Sequence, residues 1–423
     1  MSAALPSYAQ AAALVAARAA QLVHRRSSIQ SVELHRAMGR VLAQPVRADR
    51  DQPPFPRSTR DGFACCAAEA SAHTPLAIAG FTRAGQAPAG PLPPASVWEI
   101  MTGAPVPAGA DAVAMIEHVE TQHGKFRLIP PRTLTPGENI VPQGAEAREG
   151  EELVPVGTRL NPSHLAVAAS CGYAVLQVMR PPNVAILTTG DELVAVDSLP
   201  GPGQIRNSNA PMLAALVTQA GGEPWVLPTA TDDANSLDTA LRQAMGADML
   251  LISGGVSAGK FDLVEPALAR LGARFHFTGV RIQPGKPLVF GELPRNPDSP
   301  AQPSEPDQVL PFFGLPGNPI SSACTFLLFA APVLAAVAGS TLQTPQFALA
   351  KLARDVKGKS GLTRFIPAFC NFNPPQGQLP EVAPVGWQGS GDLASFARSN
   401  CFLVVPEDAA RLEAGAIARI LLT

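Results

Sequence analysis

NVAILTTG (183–190), PMLAALVTQAGG (211–222), PWVLPTA (224–230), SLDTALRQAMG (236–246), DMLLISGG (248–255) and LVEPALARLG (263–272) follow one another along the chain, apolar runs alternating with amphipathic ones. The short runs, rich in Val, Ile and Leu and ending on Gly or polar residues, predict strands. The longer ones repeat their apolar residues at helical spacing. Strands separated by helices of this length need right-handed crossovers and build a parallel sheet covered on both faces. Ligands of such sheets bind beyond the carboxyl ends of the strands. The reading is therefore an α/β domain over 181–340, with its site expected in the loops that follow the strands.

Outward from this block the pattern changes. Leu14, Val15, Ala19, Leu22 and Val23 predict one helix, and Ile29, Val32, Leu34, Met38 and Leu42 a second short one. ELVPVGTRL (152–160) and NPSHLAVAASCGY (161–173) predict a strand and a helix started by Asn161 and Pro162. Segments 1–50 and 145–180 are expected to pack as one small helical and strand domain. Between them, PLAIAG (75–80), SVWEIM (96–101), DAVAMIE (111–117) and FRLI (126–129), set among Pro and Gly turns, predict an inserted β-rich domain over 51–144. After residue 340, FALAKLA, RFIPAFC, FLVVP and AIARILLT predict a small β-barrel or sandwich over 341–423. The polar, Pro-rich stretch 292–308 reads as a surface insertion, and no function is placed there.

The 423 residues leave room for two to four domains, and 46% hydrophobic against 16% charged residues excludes long disorder. Lys+Arg 32 balance Asp+Glu 34 with no run of like charge, which argues against nucleic acid as a partner. Ile320 to Gly339 carry no charge, yet Pro332, Ser321, Ser322 and many alanines point to a buried helix instead of a membrane span. The first residues lack the pattern of a signal peptide, so the expectation is a cytoplasmic protein. The six cysteines form no CxxC pair and read as reduced, mostly buried thiols, the Cys65–Cys66 pair included. The seven histidines form no HxxH or HExxH pair and receive no role.

Four polar loops stand at the expected ligand edge. LISGGVSAGKFD (251–262) places Ser253, Gly254, Gly255, Ser257 and Gly259 after a strand and before a helix, where bare backbone N–H groups can close around phosphate oxygens, or simply form a Gly-rich turn. LTTGDEL (187–193) puts Asp191 and Glu192 at a helix start, and TATDDANS (229–236) makes Asp233 an N-cap and leaves Asp232 free. With Asp262, these acids suit a divalent cation such as Mg²⁺, which takes one or two carboxylates plus substrate oxygens. GLPGNPIS (314–321) and RIQPGKPLVFG (281–291) combine Pro-fixed bends with Gly, and Lys286 suits a contact to an oxyanion or a solvated turn. In the β-rich zone, Asp61 and Thr102 are the candidates, although Asp61-Gly62 also reads as a tight turn.

Taken together, PPFPRSTRDGFA, MTGAPVPAGADAV, PGENIVPQGAEAREG, AILTTGDEL, GQIRNSN, ISGGVSAG, QPGKPLVFG, GLPGNPIS and GSGDLASFARSNCF resemble, in order and nearly end to end, the molybdopterin molybdenumtransferases, known as MoeA in bacteria and as the C-terminal domain of gephyrin. The resemblance implies an elongated homodimer of four-domain subunits: an α/β molybdopterin-binding domain, a β-rich insert, a small helical and strand domain and a C-terminal β-barrel. It implies insertion of molybdate, a substrate, into the dithiolene of adenylylated molybdopterin, with release of AMP and help from Mg²⁺ or another divalent cation. Possible partners are the molybdopterin adenylyltransferase and acceptor molybdoenzymes. By similarity the functional acids are Asp61, Glu192, Asp232 and Asp262, with Thr102 beside them, and Glu192, Asp232 and Asp262 hold the metal. Ser253, Gly254, Gly255 and Ser257, then Pro284, Gly285 and Lys286, Pro316, Gly317, Asn318 and Ser321, and Arg364 and Ser390 bind substrate; Lys286, Ser321, Arg364 and Ser390 form the oxyanion pocket.

The chain departs from the family's pattern at Gln283, where relatives have Lys, at Asn207, where they have Asp, and at Lys260, where they have Glu. One positive charge is thereby missing near the molybdate site, which predicts weaker anion affinity, and the nucleotide side becomes more positive. A non-catalytic paralogue or binding scaffold of the gephyrin type is the alternative reading, and adenylylation of molybdopterin is a third. The retained acids favour the transferase, and the full four-domain length argues against adenylylation.

Overall fold

A computed structural model describes residues 4–22, 28–255, 263–296, 306–341 and 345–423. Six strands form the central sheet: β1 (Asn183–Thr188), β2 (Glu223–Val226), β3 (Met249–Ser253), β4 (Arg274–Thr278), β5 (Val289–Pro294) and β6 (Val309–Leu315), in the order β2-β1-β3-β6-β5-β4. The first four in that order run parallel, while β5 and β4 are antiparallel to their neighbours. The sheet is thus mixed where the sequence predicts a wholly parallel one. Segment 279–288, between β4 and β5, is shorter than the dozen or so residues that a parallel crossover needs.

Alternation along the strands divides the core. Val184, Ile186, Met249 and Leu251 face one layer, and Ala185, Leu187, Leu250 and Ile252 the other. The first layer holds α1 (Tyr8–Leu22), α3 (Asn209–Gln219) and α6 (Pro319–Val337); the second holds α4 (Ala234–Ala244) and α5 (Val264–Arg270). α6 is the uncharged run, and it is mostly buried, as expected. Pro332 offers no N–H to the turn before it, and the helix widens there to a π turn over Phe326–Ala330, in which the Ala331 N–H reaches the Phe326 carbonyl.

Two expectations for the amino-terminal zone are corrected. Helix α1 packs its Ala11, Val15, Ala19 and Leu22 stripe into the α/β core, not against 145–180, and Tyr8 sets its ring edge-on to Phe329 and Phe365. The second helix is a strand, Ile29–Glu33, paired antiparallel with Val175–Met179, and a single 3₁₀ turn follows. Ile29 and Met38 are exposed, so the five apolar residues never shared one buried face. Residues 28–50 and 145–180 do share a core of Leu42, Val46, Val154, Leu160, Ala168 and Val178. There α2 (Pro162–Ser170) opens on a capping box: Asn161 accepts from the His164 N–H at 3.0 Å, and the His164 ring accepts from the Asn161 N–H at 3.2 Å.

A third correction falls in the stretch read as a surface insertion. Glu292 lies in β5 and is 3% exposed, held by the Arg18 guanidinium (Nη2 to Oε2, 2.8 Å) and by His276 Nε2 at 3.4 Å. Burial pushes its carboxyl up, and His276 and Arg18 together outweigh that and hold it below the ordinary value.

The insert forms a six-stranded sheet, Ala112–Met115, Gly62–Cys65, Ser96–Ile100, Leu76–Thr82, Lys125–Leu128 and Val119–Gln122 in spatial order, around Phe63, Val97, Phe126 and Leu128. At the carboxyl end, Thr363–Asn371, Glu381–Pro384, Phe347–Leu352, Ile417–Leu422 and Cys401–Val405 pair in turn, and the last pairs back onto the first. That is a closed five-stranded barrel. All six cysteines are free, and burial pushes the Cys65 and Cys401 thiols up to about 12, which leaves them inert.

Candidate active site

An open cleft of about 950 Å³ lies between the carboxyl ends of β1, β3 and β6 and one end of the barrel. Its walls include Glu192, Ser253, Gly254, Pro284, Gly285, Lys286, Pro316, Gly317, Asn318, Ser321 and Ser390, eleven of the candidates read from the sequence. Pockets for small organic ligands usually enclose about 300–1,000 Å³. This cleft stands at the upper end of that range.

Two Gly loops form its floor. Gly254 has φ +97°, and a Cβ there would stand 2.5 Å from the Thr189 carbonyl oxygen, so only glycine fits. A Cβ at Gly317 would stand 3.7 Å from the Gly254 Cα, so the two loops meet backbone to backbone. The Gly254 N–H donates to the Leu315 carbonyl at 3.3 Å. Asn209, 9% exposed at the start of α3, ties both loops: its Nδ2 donates to Ser253 Oγ at 2.8 Å and to the Gly317 carbonyl at 2.6 Å. Its Oδ1 is buried without a partner.

Pro316 and Gly317 turn the chain into α6, with Asn318 as N-cap and Pro319 at the first position. Ser321 lies buried in that first turn and lines the cleft beside it. The barrel's loop closes against this end: Asn318 Nδ2 donates to Ser390 Oγ at 2.9 Å, and the Ile320 N–H donates to the Ser390 carbonyl at 3.0 Å. Lys286 is exposed and forms no ion pair among the described residues. A helix N-terminus, two glycine loops, a free ammonium and two serines converge, which is the composition of an oxyanion site.

Glu192 sits in a turn leading to a short strand, Leu193–Val194, and not at the helix start the sequence suggested. Asp233 caps α4 as expected, accepting from the Asn235 and Ser236 N–H groups, and the Thr231 hydroxyl and these amides hold its carboxyl below the usual range. Asp232 is exposed outside the cleft lining; its N–H donates to Asp191 Oδ1 at 3.0 Å, which brings the two acidic loops side by side. Gly255 lies just behind the floor, where a Cβ would meet Val264 at 2.7 Å. Ser257, Lys260 and Asp262 fall outside the described residues.

Three further candidates lie apart from the cleft lining. Arg364 stands in the barrel strand next to Gln283, its register partner, and donates to the Lys357 carbonyl at 2.6 Å, leaving Nε buried and unpaired. Asp61 and Thr102 meet each other in the insert: Asp61 Oδ1 accepts from the Thr102 N–H at 2.6 Å and from its hydroxyl at 2.8 Å, and these bonds hold the carboxyl below its ordinary value. The Asp61-Gly62 turn is more than a loop, because a Cβ at Gly62 would stand 1.9 Å from the Ala114 carbonyl oxygen.

Sequence reasoning missed Asn209, Arg206 and Trp387, which also line the cleft, and the network in which Asn207 Nδ2 donates to Thr188 Oγ1 at 2.8 Å. Two asparagines directly before an amphipathic run were the available signal for the first.

A mixed α/β sheet with a cleft lined by glycine loops, a lysine and serines beyond its carboxyl ends, flanked by a β-rich insert and a barrel, defines a multidomain α/β protein, and the comparisons narrow that class. The MoeA N-terminal region (domain I and II) matches residues 6–172, the probable molybdopterin binding domain 185–336, and the MoeA C-terminal region (domain IV) 349–423. The chain is 34% identical to the molybdopterin molybdenumtransferase of Bacillus subtilis, over 94% of this chain and 90% of that one, and 33% identical to that of Nostoc sp., over 89% and 84%. A solved structure of the molybdopterin biosynthesis MoeA protein from Pyrococcus horikoshii OT3 superposes with a TM-score of 0.79 at 28% identity, covering 99% of this chain and all of that one. The chain belongs to the molybdopterin molybdenumtransferase family, transferases of molybdenum cofactor biosynthesis.

Proposed function

We propose that this chain inserts molybdate into the dithiolene of adenylylated molybdopterin and releases AMP. The observation that carries the reading is the convergence, in one cleft, of the Gly254 and Gly317 loops with Lys286, Ser321 and Ser390. The loops offer backbone N–H groups to a phosphate, and the ammonium and hydroxyls offer a second anion its charge and hydrogen bonds. Arg364 would support that pocket from the strand behind Gln283. The adjacent acidic loops, with exposed carboxylates on Glu192 and Asp232, have the donor chemistry of a Mg²⁺ site of one or two carboxylates, with Asp262 as the third acid. Bound there, the ion would neutralise charge on the phosphate oxygens.

Asp61 and Thr102 stand outside this cleft within one chain, and a homodimer would let the insert of one subunit supply them to the cleft of the other. The reading also takes the protein as cytoplasmic, receiving its substrate from an adenylyltransferase and passing product to acceptor molybdoenzymes. Incubation with adenylylated molybdopterin, molybdate and Mg²⁺, followed by mass spectrometry of the pterin species, should show molybdenum-loaded molybdopterin and AMP in equal amounts. Unchanged adenylylated substrate in the presence of folded protein would refute it.

A further inference from the structure

The polar loops of the cleft account for anions and leave the planar, heteroaromatic part of the substrate without a partner. Trp387 is the one aromatic residue lining the cleft among the described residues, in a chain whose aromatic content is only 5%. It is half-buried, and it packs against both the α/β core and the barrel core. Its indole N–H has no hydrogen-bond partner among the described residues. Trp98 shows the contrast: sealed inside the insert, it gives its N–H to Thr82 Oγ1 at 2.8 Å. Buried tryptophans ordinarily find such a partner.

The loop carrying Trp387 is braced at both ends. Asp392 accepts from the Gln388 N–H at 3.1 Å and the Ser395 N–H at 3.0 Å, and Ser390 is bonded to Asn318 and Ile320. The ring is therefore held in place before a ligand arrives, which spares the ordering cost of recruiting it. In the cleft it offers a flat apolar face and one donor without a partner among the described residues. We infer that Trp387 is a substrate-positioning residue that stacks on a planar heteroaromatic ring of the substrate, pterin or adenine, with its N–H available to a ring acceptor. This rests on the transferase reading above.

Calorimetric titration of AMP and, separately, of 6-carboxypterin into the full chain distinguishes the two rings. Trp387→Leu, which keeps apolar packing but removes the flat face, should weaken one of them by about tenfold, while Trp387→Phe should restore most of the loss. Molybdate affinity should stay the same in both variants. Wild-type affinity of Trp387→Leu for both rings overturns the inference. If that variant does not fold, wild-type protein carrying 5-fluorotryptophan decides: its three ¹⁹F signals include one that Trp387→Phe deletes, and saturating ring ligand should move it. A signal that stays in place with both rings bound overturns the inference equally. Folded wild-type protein that binds neither ring nor molybdate would instead sink the functional reading.

Discussion

Asn209→Ala tests whether the two glycine loops are held by one side chain. Asn209 is 9% exposed, and its amide nitrogen satisfies both Ser253 Oγ and the Gly317 carbonyl. Removing a buried donor leaves each acceptor at a cost of about 1–3 kcal/mol. The Ser253 hydroxyl can rotate to another partner and counts at the low end; the Gly317 carbonyl cannot turn and counts near the high end. The sum, about 2–4 kcal/mol, falls on local opening of the loops, because the surrounding strands keep their own ladders. At about 1.4 kcal/mol per decade, exchange of the Gly254 N–H, now bonded to Leu315, should speed up by roughly 30- to 1,000-fold. Hydrogen exchange read by mass spectrometry on peptides spanning 250–255 and 314–320 measures it. Asn209→Asp adds a check of sign. A carboxylate facing the Gly317 carbonyl is disfavoured, so the folded pKa of this new group is raised above its unfolded value. Its protonated form can donate, so loop protection should be present at low pH and disappear as pH rises through the folded pKa. Acceleration below about fivefold in a folded Asn209→Ala protein would refute the tie, since that is under 1 kcal/mol.

Gln283→Lys places a second ammonium in the cleft beside Lys286. After desolvation and repulsion, a gain of roughly 1 kcal/mol should lower the molybdate concentration for half-maximal insertion about fivefold, and an unchanged value would mean this loop does not face molybdate. Asp61→Asn keeps the shape of the Thr102 contact but removes the charge; since both residues are exposed, melting should hardly move, while AMP release should fall on the order of a hundredfold. Near-normal turnover would make Asp61 a turn residue. Asp392, whose carboxyl is held down to about 2 by the Ser395 hydroxyl and amide and the Gln388 amide, should support its loop fully above the unfolded value near 4 and release it as pH falls through about 2. Proteolysis near Trp387 across that range follows it, and Asp392→Asn should be insensitive to pH there.

The strands and helices of the α/β block, the capped helix after Asn161 and the run from Ile320 to Gly339 were legible because each is a local pattern: apolar period, cap, absence of charge. The loops of the cleft were legible because Gly and Pro stand where strands end. What failed depended on distant partners. Ile29–Glu33 looked helical until Val175–Met179 claimed its backbone, and α1 looked like part of its own zone until Phe329 and Phe365 received Tyr8. Glu292 read as surface because its sequence neighbours are polar, and only the fold shows Arg18 and His276 on it. Asn209 and Trp387 were missed for a related reason: an asparagine before a helix reads as a cap, and a tryptophan near glycines reads as loop packing.

Helix α1 carries a consequence for synthesis. It is made well before the surfaces it fits: the π turn of α6 and the barrel residue Phe365 emerge from the ribosome more than 300 residues later. Until then its apolar stripe has no native cover in the nascent chain, while the insert, whose six-stranded sheet lies within residues 62–128, can already have that sheet complete. Nascent chains halted before residue 319 should therefore yield a protease-resistant insert and a clipped amino terminus, and protection of residues 8–22 should appear only once α6 has left the exit tunnel.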